Sequence, residues 1–233
     1  MKQDDYFIKP PSDKPKNVIL YAGSNFGHFD DECFVITDGV SSLPHAKEAE
    51  ELTRDTALWA YKVVRQRPFY WGEKLEFLKR IFRSTNLTLW QKRRDPGFDG
   101  GLASALMTLL VIEDYFWIGS AGNCNSFLFR DGLIELLTKP DTEGGMITKA
   151  VGFARKQLIP AMRSEKLLEN DVLFIATDSI VDFVSEDELR SAFESVGSTQ
   201  ESVQAALDAI IATAKASGSK DTKSACLVKR IVV

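Results

Sequence analysis

The chain has 233 residues, 44% hydrophobic and 27% charged, with a formal net charge of −4. These proportions are those of a globular protein and exclude a disordered or fibrous chain. The slight acidity leaves no basic footprint for nucleic acid, no apolar run approaches the ~18 residues of a membrane span, and the polar start Met1-Lys2-Gln3-Asp4-Asp5 is no signal peptide.

Residues 1–16 carry Pro10, Pro11 and Pro15 among charges and read as an extended leader. No linker rich in Gly, Ser or Pro divides the remainder, so residues 17–233 read as one domain. Val18-Ile-Leu-Tyr21 and Cys33-Phe-Val-Ile-Thr37 are apolar runs of strand length. From Pro44 the period changes: Ala49, Leu52, Thr56, Trp59, Ala60 and Val63 fall on one helical face. Leu75, Leu78, Phe82, Thr85 and Leu89 mark a second helix, with Trp59, Phe82 and Trp90 as packing aromatics. Between the helices, Pro68-Phe69-Tyr70-Trp71 makes a loop whose apolar side chains are a candidate docking patch.

Strands are expected over 104–112, 115–120, 125–130 and 133–137, the last pair joined at Asp131-Gly132. Asp-Gly between apolar runs is a hairpin signal, because both residues accept positive φ. Val172 to Thr177 is a buried strand, and Ser185-Glu-Asp-Glu188 is a capping box that opens a helix. Val203, Ala206, Leu207, Ile210, Ile211 and Ala214 form another amphipathic helix, and residues 225–233 close the chain as a strand. Serial hairpins with paired helices predict an α+β fold with antiparallel sheets. No P-loop or GxGxxG is present, so a Rossmann-type nucleotide site has no support.

The chemistry sits where strands end. Asp38 and Gly39 follow one strand, Asp178 follows another, Asp221 precedes the last, and Asp30-Asp31-Glu32 precedes the strand that carries Asp38. An Asp after a strand is often only a turn former, which accounts for Asp131, Asp141 and Asp171. Several carboxylates converging from distant segments repel one another, and a hard cation such as Mg²⁺ or Mn²⁺ relieves that. The three cysteines, Cys33, Cys124 and Cys226, lie far apart without a CxxC pair. They form no disulfide framework, and a reduced, cytoplasmic compartment fits them. Cys124 has no basic neighbour in sequence to activate it, so it reads as an inert thiol.

Beyond these single signals, an ordered series of motifs carries a resemblance. It comprises Phe34-Val-Ile-Thr-Asp38-Gly39, Gly100-Gly-Leu-Ala-Ser-Ala105, Tyr115 to Gly122-Asn-Cys-Asn125, Phe127 to Gly132, Ile147-Thr-Lys-Ala-Val-Gly152, Leu168 to Asp178-Ser179, and Lys220-Asp221-Thr222. Together these resemble the metal-dependent serine/threonine protein phosphatases of the 2C type, in a compact, bacterial-like form, over almost all of residues 17–233. The resemblance implies a four-layer α/β/β/α sandwich, two antiparallel sheets flanked by helices, with two Mn²⁺ or Mg²⁺ ions at one end. In that family a water or hydroxide between the ions attacks phosphoserine or phosphothreonine. Carried over, Asp38 bridges both ions and the attacking water, the Gly39 carbonyl binds one ion, and Asp178 and Asp221 hold the other. The family's early acidic pair falls on Asp31 and Glu32, within Asp30-Asp31-Glu32, with Asp31 as the metal ligand. In a second register Asn25 takes that position and the acidic run is a local insertion. The implied partners are a phosphorylated protein and a cognate Ser/Thr kinase, with neither nucleic acid nor membrane.

Departures from the family support a second reading, a catalytically impaired pseudophosphatase that binds a phosphoprotein or partner. The Gly-Asp-Ser-Arg motif reads Gly122-Asn123-Cys124-Asn125, so a third ion has a poorer ligand. No Lys or Arg stands between Lys16 and Lys47 to grip a phosphate, and only Glu143-Gly-Gly-Met146 remains of the flap. Val40 stands where some members have a His after Asp-Gly; His45, at a helix start within reach of the site, reads as a surface or capping residue, and His28 is given no role.

Overall fold

The computed structural model describes residues 17–66, 74–155, 158–221 and 223–232. The leader and the 68–71 patch lie outside them. In chain order come β1 (Asn17–Ser24), β2 (Gly27–Phe29) and β3 (Cys33–Gly39), then α1 (Ala46–Arg65) and α2 (Lys74–Lys92). β4 (Ser104–Ile112), β5 (Tyr115–Ala121), β6 (Asn125–Arg130) and β7 (Leu133–Thr138) follow, with the two-residue strands β8 (Thr142–Glu143) and β9 (Met146–Ile147). Last are β10 (Ala161–Lys166), β11 (Val172–Ala176), the short α3 (Asp178–Val181), α4 (Glu186–Glu194), α5 (Gln200–Ala216) and β12 (Ala225–Val232).

Two five-stranded sheets form, in the orders β1-β12-β11-β6-β7 and β10-β5-β4-β3-β2, and every pairing is antiparallel. Strand periodicity of two builds the layers. Along β3, Phe34 and Ile36 enter the core between the sheets, whereas Cys33 and Val35 join the core beneath α1 and α2. Along β11, Leu173 and Ile175 face the other sheet, whereas Val172, Phe174 and Ala176 pack with α4 and α5. The result is the four-layer α/β/β/α sandwich, an α+β fold.

Local signals hold where they rest on turn and cap chemistry. Asp131 and Gly132 both have positive φ, 52° and 78°. Ser185 caps α4 in a complete capping box with Glu188. Two expectations are corrected, and two strands of the five-stranded sheets are unassigned in the sequence. Trp59 is 62% exposed, and α1 instead buries Ala49, Thr53, Thr56, Ala57, Ala60 and Tyr61. That stripe is small except for Tyr61, whose ring packs against Phe29 and Phe77. Leu75 also faces outward, at 40% exposure. Finally, β2 and β10 carry little sequence signal: both are sheet edges, and β10 reads Ala-Met-Arg-Ser-Glu-Lys. Edge strands need only one apolar neighbour and take polar residues freely.

Candidate active site

Antiparallel register brings distant segments to one end of the sandwich. Ser24 pairs with Ala225, Ala225 with Ala176, and Ala176 with Asn125, so the ends of β1, β12, β11 and β6 line up across one sheet. In the other sheet Asp38 pairs with Ala105 and Leu106 with Ala121. Between these ends lies a cleft of about 370 Å³ lined by Asn25, Asp38, Gly39, Lys47, Glu50, Glu51, Asn123, Asp178 and Asp221, among others. Asp38, Gly39, Asp178 and Asp221 thus meet as expected from the sequence.

Each is fixed by local structure. The Asp38 carbonyl accepts from Ser104 Oγ at 3.0 Å, which pins the end of β3 to β4. At Gly39 a Cβ would stand 1.9 Å from the Ala46 carbonyl, so glycine is what lets the start of α1 cross over β3. That crossing places Lys47 and Glu50 beside Asp38. Asp178 opens α3 directly after β11, and Thr177 N–H donates to the Ser224 carbonyl at 3.0 Å, tying that turn to the approach of β12. Asp221 stands exposed in the loop before β12.

Asp38 and Asp178 are bridged by one amide. Asn123 Nδ2 donates to Asp178 Oδ2 at 2.5 Å and to Asp38 Oδ2 at 3.3 Å. Burial, then the nearby Asp178 carboxylate, raises the Asp38 carboxyl to about 6; the Asn123 amide opposes the rise, and Glu50 and Asp221 add to it. Such crowded oxygen donors fit a hard divalent cation. Asp38 and Asp178 would be the ligands nearest one another, with Asp221 and Glu50 facing them from a loop and a helix. As placed, no three His, Cys, Asp or Glu side chains among the described residues are gathered tightly enough to hold an ion.

Asp31 is not in the cleft. It is exposed in the turn between β2 and β3, seven residues and roughly 20 Å of strand from Asp38. Its neighbours are structural. Glu32 accepts from Tyr61 and from both sides of the Arg65 fork, and Asp30 lies 3.6 Å from Arg65. Asn25, the position named in the second register, does line the cleft. Asn25 Nδ2 donates to Glu50 Oε1 at 2.5 Å and to Ser224 Oγ at 2.7 Å, while Arg54 donates to its Oδ1 at 3.2 Å. Sequence reasoning missed Glu50 altogether. Its one signal was its position beside Ala49, one turn into a helix that begins just after Asp-Gly.

The remaining residues fall as expected. Asp141 anchors a turn: it accepts from Gly122 N–H at 3.2 Å and from Lys149 Nζ at 2.6 Å. Asp171 accepts the Arg130 guanidinium at 2.8 and 2.6 Å. Cys33, Cys124 and Cys226 are free and buried, and burial drives each thiol upward in pKa.

The architecture has known counterparts. The structure of PppA, a regulatory component of the type VI secretion system of Pseudomonas aeruginosa, matches with a TM-score of 0.75 over 94% of this chain and 99% of that one, at 15% identity. The catalytic domain of the serine/threonine phosphatase PstP, solved with two manganese ions, matches with a TM-score of 0.74 over 93% and 100%, at 19% identity. A bacterial serine phosphatase matches with a TM-score of 0.74 over 93% and 98%, at 15% identity. The chain has the fold of the 2C-type serine/threonine phosphatases. No protein-family profile and no curated protein sequence matches it. Likeness to the 2C-type phosphatases therefore resides in backbone arrangement. Residues 142–147 form the β8–β9 hairpin, whose Gly144 and Gly145 turn has positive φ at both residues. Among the described residues, no helix is long and apolar enough to cross a membrane.

Proposed function

We propose that the protein is a divalent-metal-dependent phosphatase acting on phosphoserine or phosphothreonine in proteins. The observation that carries this reading is the meeting of Asp38, Asp178 and Asp221, from three distant segments, in one cleft of a 2C-type fold. Asp38, Asp178, Asp221 and the Gly39 carbonyl would hold two Mn²⁺ or Mg²⁺ ions, with Glu50 as an additional carboxylate. When bound, such ions lower the pKa of a water and neutralise phosphoryl oxygens during in-line displacement. The chain's own residues then orient and exclude. Asp38 sets the position of the attacking water. Lys47, the one positive side chain among the described residues lining the cleft, meets the substrate phosphate. The short β8–β9 hairpin leaves the cleft open to a protein-sized substrate, and a Ser/Thr kinase would supply its phosphate. No cysteine takes part, and the reduced thiols accord with a cytoplasmic setting.

One observation favours the pseudophosphatase reading: Asn123 already satisfies Asp38 and Asp178 together. Hydrolysis of a phosphothreonine peptide and of an aryl phosphate, with Mn²⁺ and with chelator, separates the two. Turnover that requires Mn²⁺ is expected. Mn²⁺ binding without turnover in either assay would leave the pseudophosphatase.

A further inference from the structure

Asn123 is only 7% exposed and stands between two carboxylates. Its orientation is forced. Asp38 and Asp178 both present acceptors, so the amide must turn its NH₂ edge toward them. The opposite edge is left in difficulty: Asn123 Oδ1 is buried with no hydrogen-bond partner. An amide oxygen so placed costs free energy that a water or an ion would recover. One residue therefore both bridges a like-charged pair and keeps an unused oxygen ligand on its far edge.

Its backbone is held. Gly122 adopts φ 118°, donates to Asp141 Oδ2 at 3.2 Å and accepts from Asp141 N–H at 2.8 Å. On the other side, Asn125 Nδ2 donates to the Asn123 carbonyl at 3.2 Å. With both flanks pinned, the freedom left to Asn123 lies in its side-chain torsions.

We propose that the Asn123 amide stands in for a cation between Asp38 and Asp178, and that a divalent ion competes with it. Uptake of the ion would break the two N–H···O hydrogen bonds to Asp38 and Asp178 and turn the amide about Cβ–Cγ, which would bring Oδ1 round toward the ion or its water shell. Only the identity of the ion rests on the phosphatase reading. Asn123 is a positioning residue here, and it has two consequences. The metal-free cleft stays assembled instead of flying apart by repulsion. Metal affinity is lower than the same cleft would have with a carboxylate at position 123.

Melting temperature in chelator, and Mn²⁺ binding by calorimetry, test this without any turnover. Asn123→Asp is nearly isosteric and places a third carboxylate against the pair. It should melt at least about 3 °C below wild type in chelator and bind Mn²⁺ at least about tenfold more tightly. Adding Asp178→Asn to Asn123→Asp removes one crowded charge and should restore melting in chelator. Equal melting and equal Mn²⁺ affinity for wild type and Asn123→Asp, or no recovery in the double variant, would overturn the proposal. Should Asn123→Asp fail to fold, the wild type still decides. The ¹⁵N resonance of the Asn123 side-chain amide should be protected from exchange in chelator and lose that protection on titration with Mg²⁺. Unchanged protection at saturating Mg²⁺ would overturn it. Absence of any Mn²⁺ or Mg²⁺ binding would overturn the competition and the phosphatase reading together, whereas binding without hydrolysis would sink only the latter.

Discussion

Glu32 and Arg65 are joined by two charge-assisted hydrogen bonds, Nε to Oε2 at 2.7 Å and a terminal guanidinium nitrogen to Oε1 at 3.0 Å. Tyr61 Oη donates to the same Glu32 Oε2 at 2.8 Å. The pair clamps the β2–β3 turn to the last turns of α1. An acidic run that looks like a metal site in sequence is, in the fold, the anchor of a helix at the end of β3 remote from Asp38.

Glu32→Gln should therefore cost about 1–3 kcal/mol in urea unfolding, the scale of hydrogen bonds to a partly buried charge, without altering Mn²⁺ binding. Burial alone would raise the Glu32 carboxyl, but Arg65 and Tyr61 outweigh it and hold it below its usual value of 4.5. An acid depressed by folding stabilises the fold above its unfolded pKa, and that stability drains away as pH falls through the lower folded value. Wild type should thus lose stability below about pH 4.5 faster than Glu32→Gln does. Parallel pH curves for the two proteins would contradict the clamp.

Asp38→Asn should abolish hydrolysis of an aryl phosphate while the fold survives. Asp38 lies in the crowded pair and is the carboxylate proposed to serve both ions. Retention of more than about a tenth of the rate, only ~1.4 kcal/mol of barrier, would show that it does not bridge.

Gly122→Ala should be among the most damaging single substitutions near the cleft. The residue sits at φ 118°, and a Cβ there would lie 2.4 Å from Ala105 Cβ. Strain plus overlap costs about 2–4 kcal/mol. Because Asn123 follows directly, Mn²⁺ affinity should change as well. A loss of stability under 1 kcal/mol by urea titration, ~ half the lower bound, would mean that the turn yields easily.

The thiols should be inert in the folded protein. Cys33, Cys124 and Cys226 are each 0% exposed, so reaction with a thiol reagent must await opening of the fold. Native labelling should be roughly a hundredfold or more slower than labelling in urea. Rapid stoichiometric modification of Cys124 would place it on an accessible wall of the cleft.

The corrected face of α1 can be checked by a pair of substitutions. Trp59→Ser removes an exposed side chain and should change stability by no more than about 0.5 kcal/mol. Tyr61→Ala empties a fully buried site packed against Phe29 and Phe77 and should cost about 3–5 kcal/mol, as for other large aromatics. Similar losses for the two would restore Trp59 to the core.

By itself, the sequence determined whatever depends on near neighbours along the chain. Alternation in β3 and β11, the Asp131-Gly132 turn and the Ser185 cap are all local, because φ preference, side-chain period and capping act over a few residues. The order of its motifs, through the family resemblance, pointed to Asp38, Asp178 and Asp221, which the fold brings to one cleft. Tertiary structure decided which way α1 faces, since burying Tyr61 in place of Trp59 depends on the Phe29 and Phe77 rings that Tyr61 meets. It decided that Asp31 is remote and Asn25 near, because an unassigned edge strand, β2, reverses the chain between them. And it decided that Glu50 joins the acidic cleft and that one amide, Asn123, holds Asp38 and Asp178 together. Such contacts join residues far apart in the chain, by 199 positions for Asn25 and Ser224; their geometry follows from antiparallel register and helix crossing, which no local pattern encodes.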